Sequence, residues 1–303
     1  STRMNTYGAF VADRYKARGN IVWMLGGDYG TGANDFKRPP GGPDELGAEQ
    51  ALLAGMKRVM GQARLSFSAE WNGPSIYTDQ ADAILLAAGT LQGAYSWQGD
   101  VNTYARNGYS YFPVMPTFLL EEPYDEEGPD GNRYNQNATQ PVRRFQWWGW
   151  LSGIGGYISG NGFVILFNPD WQSHLNTQGA QDMARLNTFV RSLAWYNLVP
   201  SDLGGMKTLV VGNSSPSSSD YVAAAATPDG TLLVAYVPPA HSGSITIDMT
   251  AMSGPMRARW VNPTTAAYTN AGVGLPSFGT MAFTPPVDNS TGFTDWVLLL
   301  ERQ

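Results

Sequence analysis

The chain has no cysteine and only 2 histidines among its 303 residues. That excludes a disulfide framework, a thiol nucleophile, a thiolate metal site and a three-histidine metal centre. Basic residues are in the minority: 19 Lys and Arg stand against 25 Asp and Glu, a net charge of −6. With a pI near 4.9, nucleic acid and anionic membrane surfaces are poor partners. No apolar run is long enough to span a bilayer, and no basic start followed by an apolar stretch marks a secretion signal. The phosphate-binding patterns G-x-G-x-x-G after a strand and G-x-x-x-x-G-K-S/T are missing too. No nucleotide cofactor is therefore expected, nor any other cofactor or metal.

What the chain does have is core material: 43% hydrophobic residues and 12% aromatic, with 10 tryptophans. Tryptophan fills cores and also stacks on sugar rings, so the count by itself decides nothing. The organising stretch is Ile21-Val22-Trp23-Met24-Leu25-Gly26-Gly27-Asp28. Five apolar residues bounded by glycine read as a strand buried on both faces. Asp28 closes it, either as a cap for the next turn or as a functional group at a strand's carboxyl end.

Before it, Met4, Tyr7, Val11 and Tyr15 recur at helical spacing, so 1–19 reads as a helix ending at Arg18-Gly19. After it, a loop at 30–44 leads to a helix at 45–61 with Leu52, Met56 and Val59 on one face. Strands follow at 64–70, 93–98, 114–120 and 153–159, the last extended by 162–167. Between and after them, helices are expected at 79–89, 140–151 and 178–196. Beyond Pro200 the pattern changes to seven short runs separated by Gly, Pro, Asn and Ser. They fall at 208–211, 221–226, 231–237, 244–248, 257–261, 280–283 and 296–300, which predicts an antiparallel β-sandwich. The division expected is 1–204 and 205–303.

Five strands alternating with helices imply a parallel sheet with right-handed crossovers. A (β/α)8 barrel needs eight such units in about 250 residues, so these five fit its second half, strands 4 to 8. The fold class expected is thus the second half of a (β/α)8 barrel followed by a β-sandwich. Five eighths of a barrel alone would expose strand edges and an open core. Strands 1 to 3 are therefore expected from a preceding segment or from a second polypeptide.

The candidate chemistry is a pair of strand-end carboxylates, Asp28 and Glu122. Glycosidic hydrolysis needs one acid to protonate the leaving oxygen and one carboxylate to attack the sugar or activate water. If Asp28 closes strand 4, Glu122 closes strand 7, positions used by many retaining glycosidase barrels. A gap of about 5–5.5 Å between them is expected, against roughly 6.5–9.5 Å for inversion. Glu70 and Glu121 are rival carboxylates, and Glu121 should face away from Glu122 because strand neighbours alternate. Tyr29, Trp71, Trp97, Tyr124 and Trp171 lie near predicted strand ends and are candidate sugar platforms. Arg143 and Arg144 are more readily placed on a solvated helix face than in the pocket. Trp148 is expected in the core.

The run from Asn20 to Asp28 resembles the signature of apiosidase-like glycoside hydrolases. So do Glu122-Pro123-Tyr124 before an acidic loop, Arg143 and Arg144 with Trp148, the glycine-rich 153–160, Gly179-Ala180-Gln181-Asp182-Met183, and Leu198-Val199-Pro200. Ala258-Arg259-Trp260-Val261-Asn262-Pro263 and Asp295-Trp296-Val297-Leu298 are similar to the β-sandwich that accompanies that family under the name of a collagen-binding domain. The resemblance implies a (β/α)8 barrel with Asp28 as acid/base and Glu122 as nucleophile. It also implies a glycan substrate, such as an apioside or arabinofuranoside, and a secreted or periplasmic setting. Two segments depart from it on the substrate side: Ser68-Ala69-Glu70-Trp71, where a histidine is expected, and Tyr95-Ser96-Trp97-Gln98, where relatives tend to carry Gln-Ser-Gly-His. The rival readings are a carbohydrate-binding or scaffold protein without turnover, and a hydrolase of a non-sugar polymer or ester.

Overall fold

The computed structural model describes residues 2–29, 45–61, 64–69, 73–74, 83–96, 100–112, 114–127, 139–212, 214–290 and 292–303. The predicted loop at 30–44 lies outside them, as do all but the first three residues of the acidic, glycine-rich loop expected at 125–137.

All five predicted strands of the first part are present: β1 (Trp23–Tyr29), β2 (Leu65–Ala69), β4 (Gln92–Tyr95), β5 (Thr117–Glu121) and β6 (Ile154–Tyr157). A two-residue strand β3 (Gly73–Pro74), not expected, runs antiparallel to β4. β1 pairs parallel with β2, Trp23 opposite Leu65, and β4, β5 and β6 pair parallel in that order. The amide of Leu91, one residue before β4, donates to the carbonyl of Leu65 at the start of β2 (3.1 Å). The two sheet pieces therefore follow one another with their starts level and their carboxyl ends on one side.

Helices α1 (Thr2–Tyr15), α2 (Glu45–Met60), α3 (Ala83–Ala88), α4 (Val101–Ser110), α5 (Thr139–Leu151) and α6 (Gln178–Arg191) accompany the strands. Leu25 of β1 and Leu65 of β2 are buried with Ala12, Leu53 and Met56 of α1 and α2. The other side of the first strand differs from expectation. Val22 is 49% and Met24 46% exposed, so among the described residues this run is buried on one face only. The predicted 162–167 extension of the last strand is instead a set of turns, because Asn161 Oδ1 accepts from the amides of Phe163 and Val164 (2.9 and 3.1 Å).

The stripe Met4-Tyr7-Val11-Tyr15 is not what α1 buries. Tyr7 and Tyr15 are exposed, and Gly8 and Ala12 are the buried positions. Glycine makes the close approach possible: a Cβ on Gly55 of α2 would stand 2.0 Å from the Asn5 carbonyl oxygen. Gly55→Ala is expected to cost on the order of 1–3 kcal/mol, despite alanine's better helix propensity. A denaturant titration checks this.

The seven predicted strands of the second part are all present, as β8 (Leu209–Val211), β9 (Ala223–Ala226), β10 (Leu232–Val237), β11 (Ile245–Asp248), β12 (Met256–Val261), β14 (Thr280–Phe283) and β15 (Trp296–Arg302). Two more were not expected. β7 (Val199–Pro200) is very short, and β13 (Tyr268–Leu275) carries no apolar alternation because it is a mostly exposed edge. The order is β13-β12-β15-β10-β9-β7 in one sheet and β14-β11-β8 in the other. β7 joins the larger sheet from before the expected boundary.

The larger sheet is buried on both faces. Leu233, Ala235, Leu298 and Leu300 meet Ile245, Ile247 and Phe283 of the smaller sheet. Ala225, Val234, Tyr236, Val297 and Leu299 face the other way, onto Phe145, Trp147 and Trp148 of α5. Trp147 and Tyr236 stack at 5.8 Å with planes 2° apart, and the Trp148 indole N–H donates to the Tyr221 carbonyl (2.9 Å). Trp148 is fully buried, as expected. Arg143 is not on a solvated face: it is 1% exposed. Its Nε and a terminal nitrogen hold the two oxygens of Asp295 in the sandwich, each at 2.8 Å. Its other terminal nitrogen donates to Asp182 of α6. Arg144 lies over the Trp148 ring, 4.8 Å from its centroid.

Candidate active site

A cavity of about 510 Å³ opens at the carboxyl ends of the strands. Met24 of β1 and Leu120 of β5 form part of its apolar wall, with Ile158, Val164, Ile165, Leu175, Ala180 and Met183. Its polar wall comes from Glu121 at the end of β5, Tyr124 and Asp125 after it, Ser159 and Asn161 after β6, and His174 and Thr177 before α6.

The segment leaving β5 reads Glu121-Glu122-Pro123-Tyr124-Asp125-Glu126-Glu127. Glu121 lines the cavity and the Tyr124 hydroxyl donates to its Oε1. Glu122 does not line the cavity. It is 2% exposed, and the side-chain amide of Gln146 on α5 donates to its Oε1. Glu122, expected to face the substrate, is placed behind the cavity wall, and its neighbour Glu121 lies on the wall. The register explains it: Ala94 of β4 pairs with Leu119, but Tyr95 pairs with Glu121. Leu120 is an extra residue in β5, a bulge, and one extra residue exchanges the two faces of everything after it. Simple alternation would have aimed Glu122 inward. The two glutamates do face apart, as expected.

Burial pushes the Glu122 carboxyl well above its ordinary 4.5, with the Ser159 hydroxyl opposing and the charge of Glu121 adding to the rise. The folded chain therefore binds a proton that the unfolded chain has released, so stability falls as pH rises through that window. Glu122→Gln mimics the neutral acid. Its melting temperature should match the parent below the ordinary carboxylate range and exceed it increasingly above. Thermal melts across pH check this, and parallel curves would refute it.

Asp125 is 2% exposed and its Oδ2 accepts from Thr177 Oγ1 (2.5 Å), the N-cap of α6. Burial raises its pKa, against that hydrogen bond. A Cβ on Gly179 in the first turn of α6 would meet this carboxylate at 2.3 Å, so glycine alone lets the helix end approach it. The Asp125 amide and carbonyl bond Gly160 and Gly162 (3.0 and 2.9 Å), which ties the acidic segment to the end of β6. Glu126 Oε2 accepts from Asn161 Nδ2 (2.8 Å) and lies 2.7 Å from His174 Nδ1.

Of the other expected site residues, Asp28 and Tyr29 occupy the last two positions of β1, at the correct end of the sheet. Their side chains, and all of Trp71 and Trp97, lie outside the described residues. Tyr124 lines the cavity. Trp171 does not: it packs edge-on against Phe167 at 5.4 Å, because the short 3-10 helix 171–176 turns its ring away. Among the described residues, no group of His, Asp and Glu side chains is placed to hold a metal ion. Sequence reading missed Asp125, Ser159, His174 and Thr177 as cavity residues, and Glu126 as the partner of His174; the one available signal was the density of acids after β5.

The whole chain superposes on solved glycoside hydrolases. One described as "Glycoside hydrolase" gives a TM-score of 0.79 at 18% identity, over 99% of this chain and 69% of that one. A glycoside hydrolase family 5 structure from Bacteroides vulgatus ATCC 8482 gives 0.78 at 18%, over 99% and 66%. A noncanonic maltogenic alpha-amylase from Thermotoga neapolitana gives 0.52 at 9%, over 100% and 66%. The chain thus spans about two thirds of the length of these structures. No curated protein matches it. The fold is that of a glycoside hydrolase catalytic region followed by a β-sandwich.

Residues 1–197 match the family model "Apiosidase-like, catalytic domain", and residues 207–301 match "Putative collagen-binding domain of a collagenase". The chain belongs to the apiosidase-like family of glycosidases.

Proposed function

We propose that this protein is a retaining glycosidase in which Glu121, rather than Glu122, is the nucleophile and Asp28 the acid/base. The observation that carries the reading is Glu121 at the carboxyl end of β5, on the cavity wall, with the Tyr124 hydroxyl on its carboxylate. An ionised carboxylate so held can attack the anomeric carbon while a protonated acid from another strand releases the aglycone. Asp28 ends β1, whose Met24 lines the same cavity. The substrate would be an oligo- or polysaccharide carrying a furanoside such as an apioside or arabinofuranoside.

We propose that the five parallel strands are part of an arc that three more strands complete to a (β/α)8 barrel. Val22 just before β1, Met24 on it and Ile158 after β6 are about half exposed. Capping such apolar surface is what a closed barrel does. A preceding segment or a second polypeptide would supply the strands.

The test is hydrolysis of 4-nitrophenyl furanosides and pyranosides by the full chain, with the first-formed anomer read by NMR. Retention supports the reading. Inversion overturns the nucleophile, and hydrolysis of aryl esters alone overturns the glycosidase.

A further inference from the structure

We propose that the Glu126–His174 pair is a substrate-binding element of the cavity, with His174 Nε2 meeting an oxygen of an uncharged sugar. The inference rests on the glycosidase reading and adds a specificity residue to it.

The imidazole is fixed in every respect that recognition requires. Its Nδ1 lies 2.7 Å from Glu126 Oε2, and its ring stacks on Phe163 at 4.0 Å, 5° from parallel. A carboxylate on one ring nitrogen sets the tautomer and leaves the other nitrogen for a ligand. His174 lines the cavity that holds Glu121. The glutamate is held as firmly. Glu126 is 7% exposed, and Asn161 Nδ2 donates to it at 2.8 Å. Its φ of 63° is left-handed, a conformation that non-glycine residues seldom adopt. The same Asn161 caps the turn that carries Phe163. Carboxylate, amide and aromatic ring thus converge on one imidazole.

The walls also define the ligand's charge. Glu121 and Asp125 line the cavity together with His174, whose Nδ1 already has the Glu126 carboxylate as partner. A uronic acid would bring a further negative charge among them, so the site favours a neutral polyhydroxylated ring.

Because the chain has only 2 histidines, their imidazole NMR signals can be assigned with one His241→Gln variant. The titrant is the neutral 4-nitrophenyl glycoside that the chain hydrolyses best or, if none is hydrolysed, the whole panel, added to the full chain as Glu121→Gln. A saturable shift of the His174 signals is expected, with none from the matching uronide. In parallel, His174→Gln and Glu126→Gln should each raise KM about tenfold, with kcat changed less, the loss of one hydrogen bond to a charged or polarised group. If glycosides are hydrolysed but the His174 signals and both KM values stay put, this proposal falls and the glycosidase reading stands. A saturable shift without hydrolysis would keep the binding element and remove the enzyme. Neither shift nor hydrolysis would remove both.

Discussion

Glu121→Gln should lower kcat by about 10⁴-fold, the scale seen when a nucleophile is removed from a working site, whereas Glu122→Gln should leave kcat within about threefold, because that carboxyl is buried behind the cavity wall and touches no substrate. The contrast between neighbours is the informative part, because both lie at the end of β5 and both are glutamates. Only Glu121 lines the cavity. Aryl glycosides with an activated leaving group give the rates. Azide added to Glu121→Ala supplies a small external nucleophile and should yield a glycosyl azide of inverted configuration. A Glu122 variant that is dead while the Glu121 variant turns over would refute the assignment and place the bulge elsewhere.

The second large effect concerns stability. Arg143→Met should destabilise the chain by about 3–5 kcal/mol, because it strands buried acids without their cation. Asp295 is fully buried and Asp182 1% exposed. Asp182 keeps Arg185 (2.9 Å), whereas Asp295 loses the cation that grips both its oxygens and keeps as hydrogen-bond donors the neutral Tyr236 (2.9 Å) and Asn289 (2.7 Å), with Arg144 acting on it through its charge. Arg143→Lys should recover only part of the loss, since an ammonium cannot span both Asp295 oxygens as the planar fork does. Adding Asp295→Leu to Arg143→Met should restore stability relative to Arg143→Met alone, because the stranded charge goes with it. Denaturant midpoints at constant slope measure all three. Additive losses in the double variant would contradict the account.

Much of the fold was legible in sequence because it rests on period and punctuation. The strand ending at Asp28, the run after Arg64 and the helix carrying Met183, Leu186 and Val190 each gave a pattern that the structure keeps. The failures are equally specific. Period-two reasoning cannot see an extra residue, so the bulge at Leu120 moved the cavity carboxylate by one position. β13 was missed because an exposed edge has no apolar face to announce it. Leu232–Val237 is apolar at every position, which is the mark of a strand covered on both sides. Strand spacing assigns it to a β-sandwich but gives no sign of the helix that covers its other face. Arg143 looked solvated because its partner Asp295 is 152 residues away, a distance no local pattern spans. The pairing of Glu126 with His174 had no local sign for the same reason.

The two-sided sheet has a consequence for how this chain can be cut. Residues 205–303 resemble a detachable module in their strand grammar, yet their largest sheet would enter water with Ala225, Val234, Tyr236, Val297 and Leu299 bare. The tryptophans of α5 would be stripped at the same stroke. A fragment ending or starting near 204 is therefore a sticky one, prone to self-association. Melting of the intact chain should register a single event in which neither portion outlives the other.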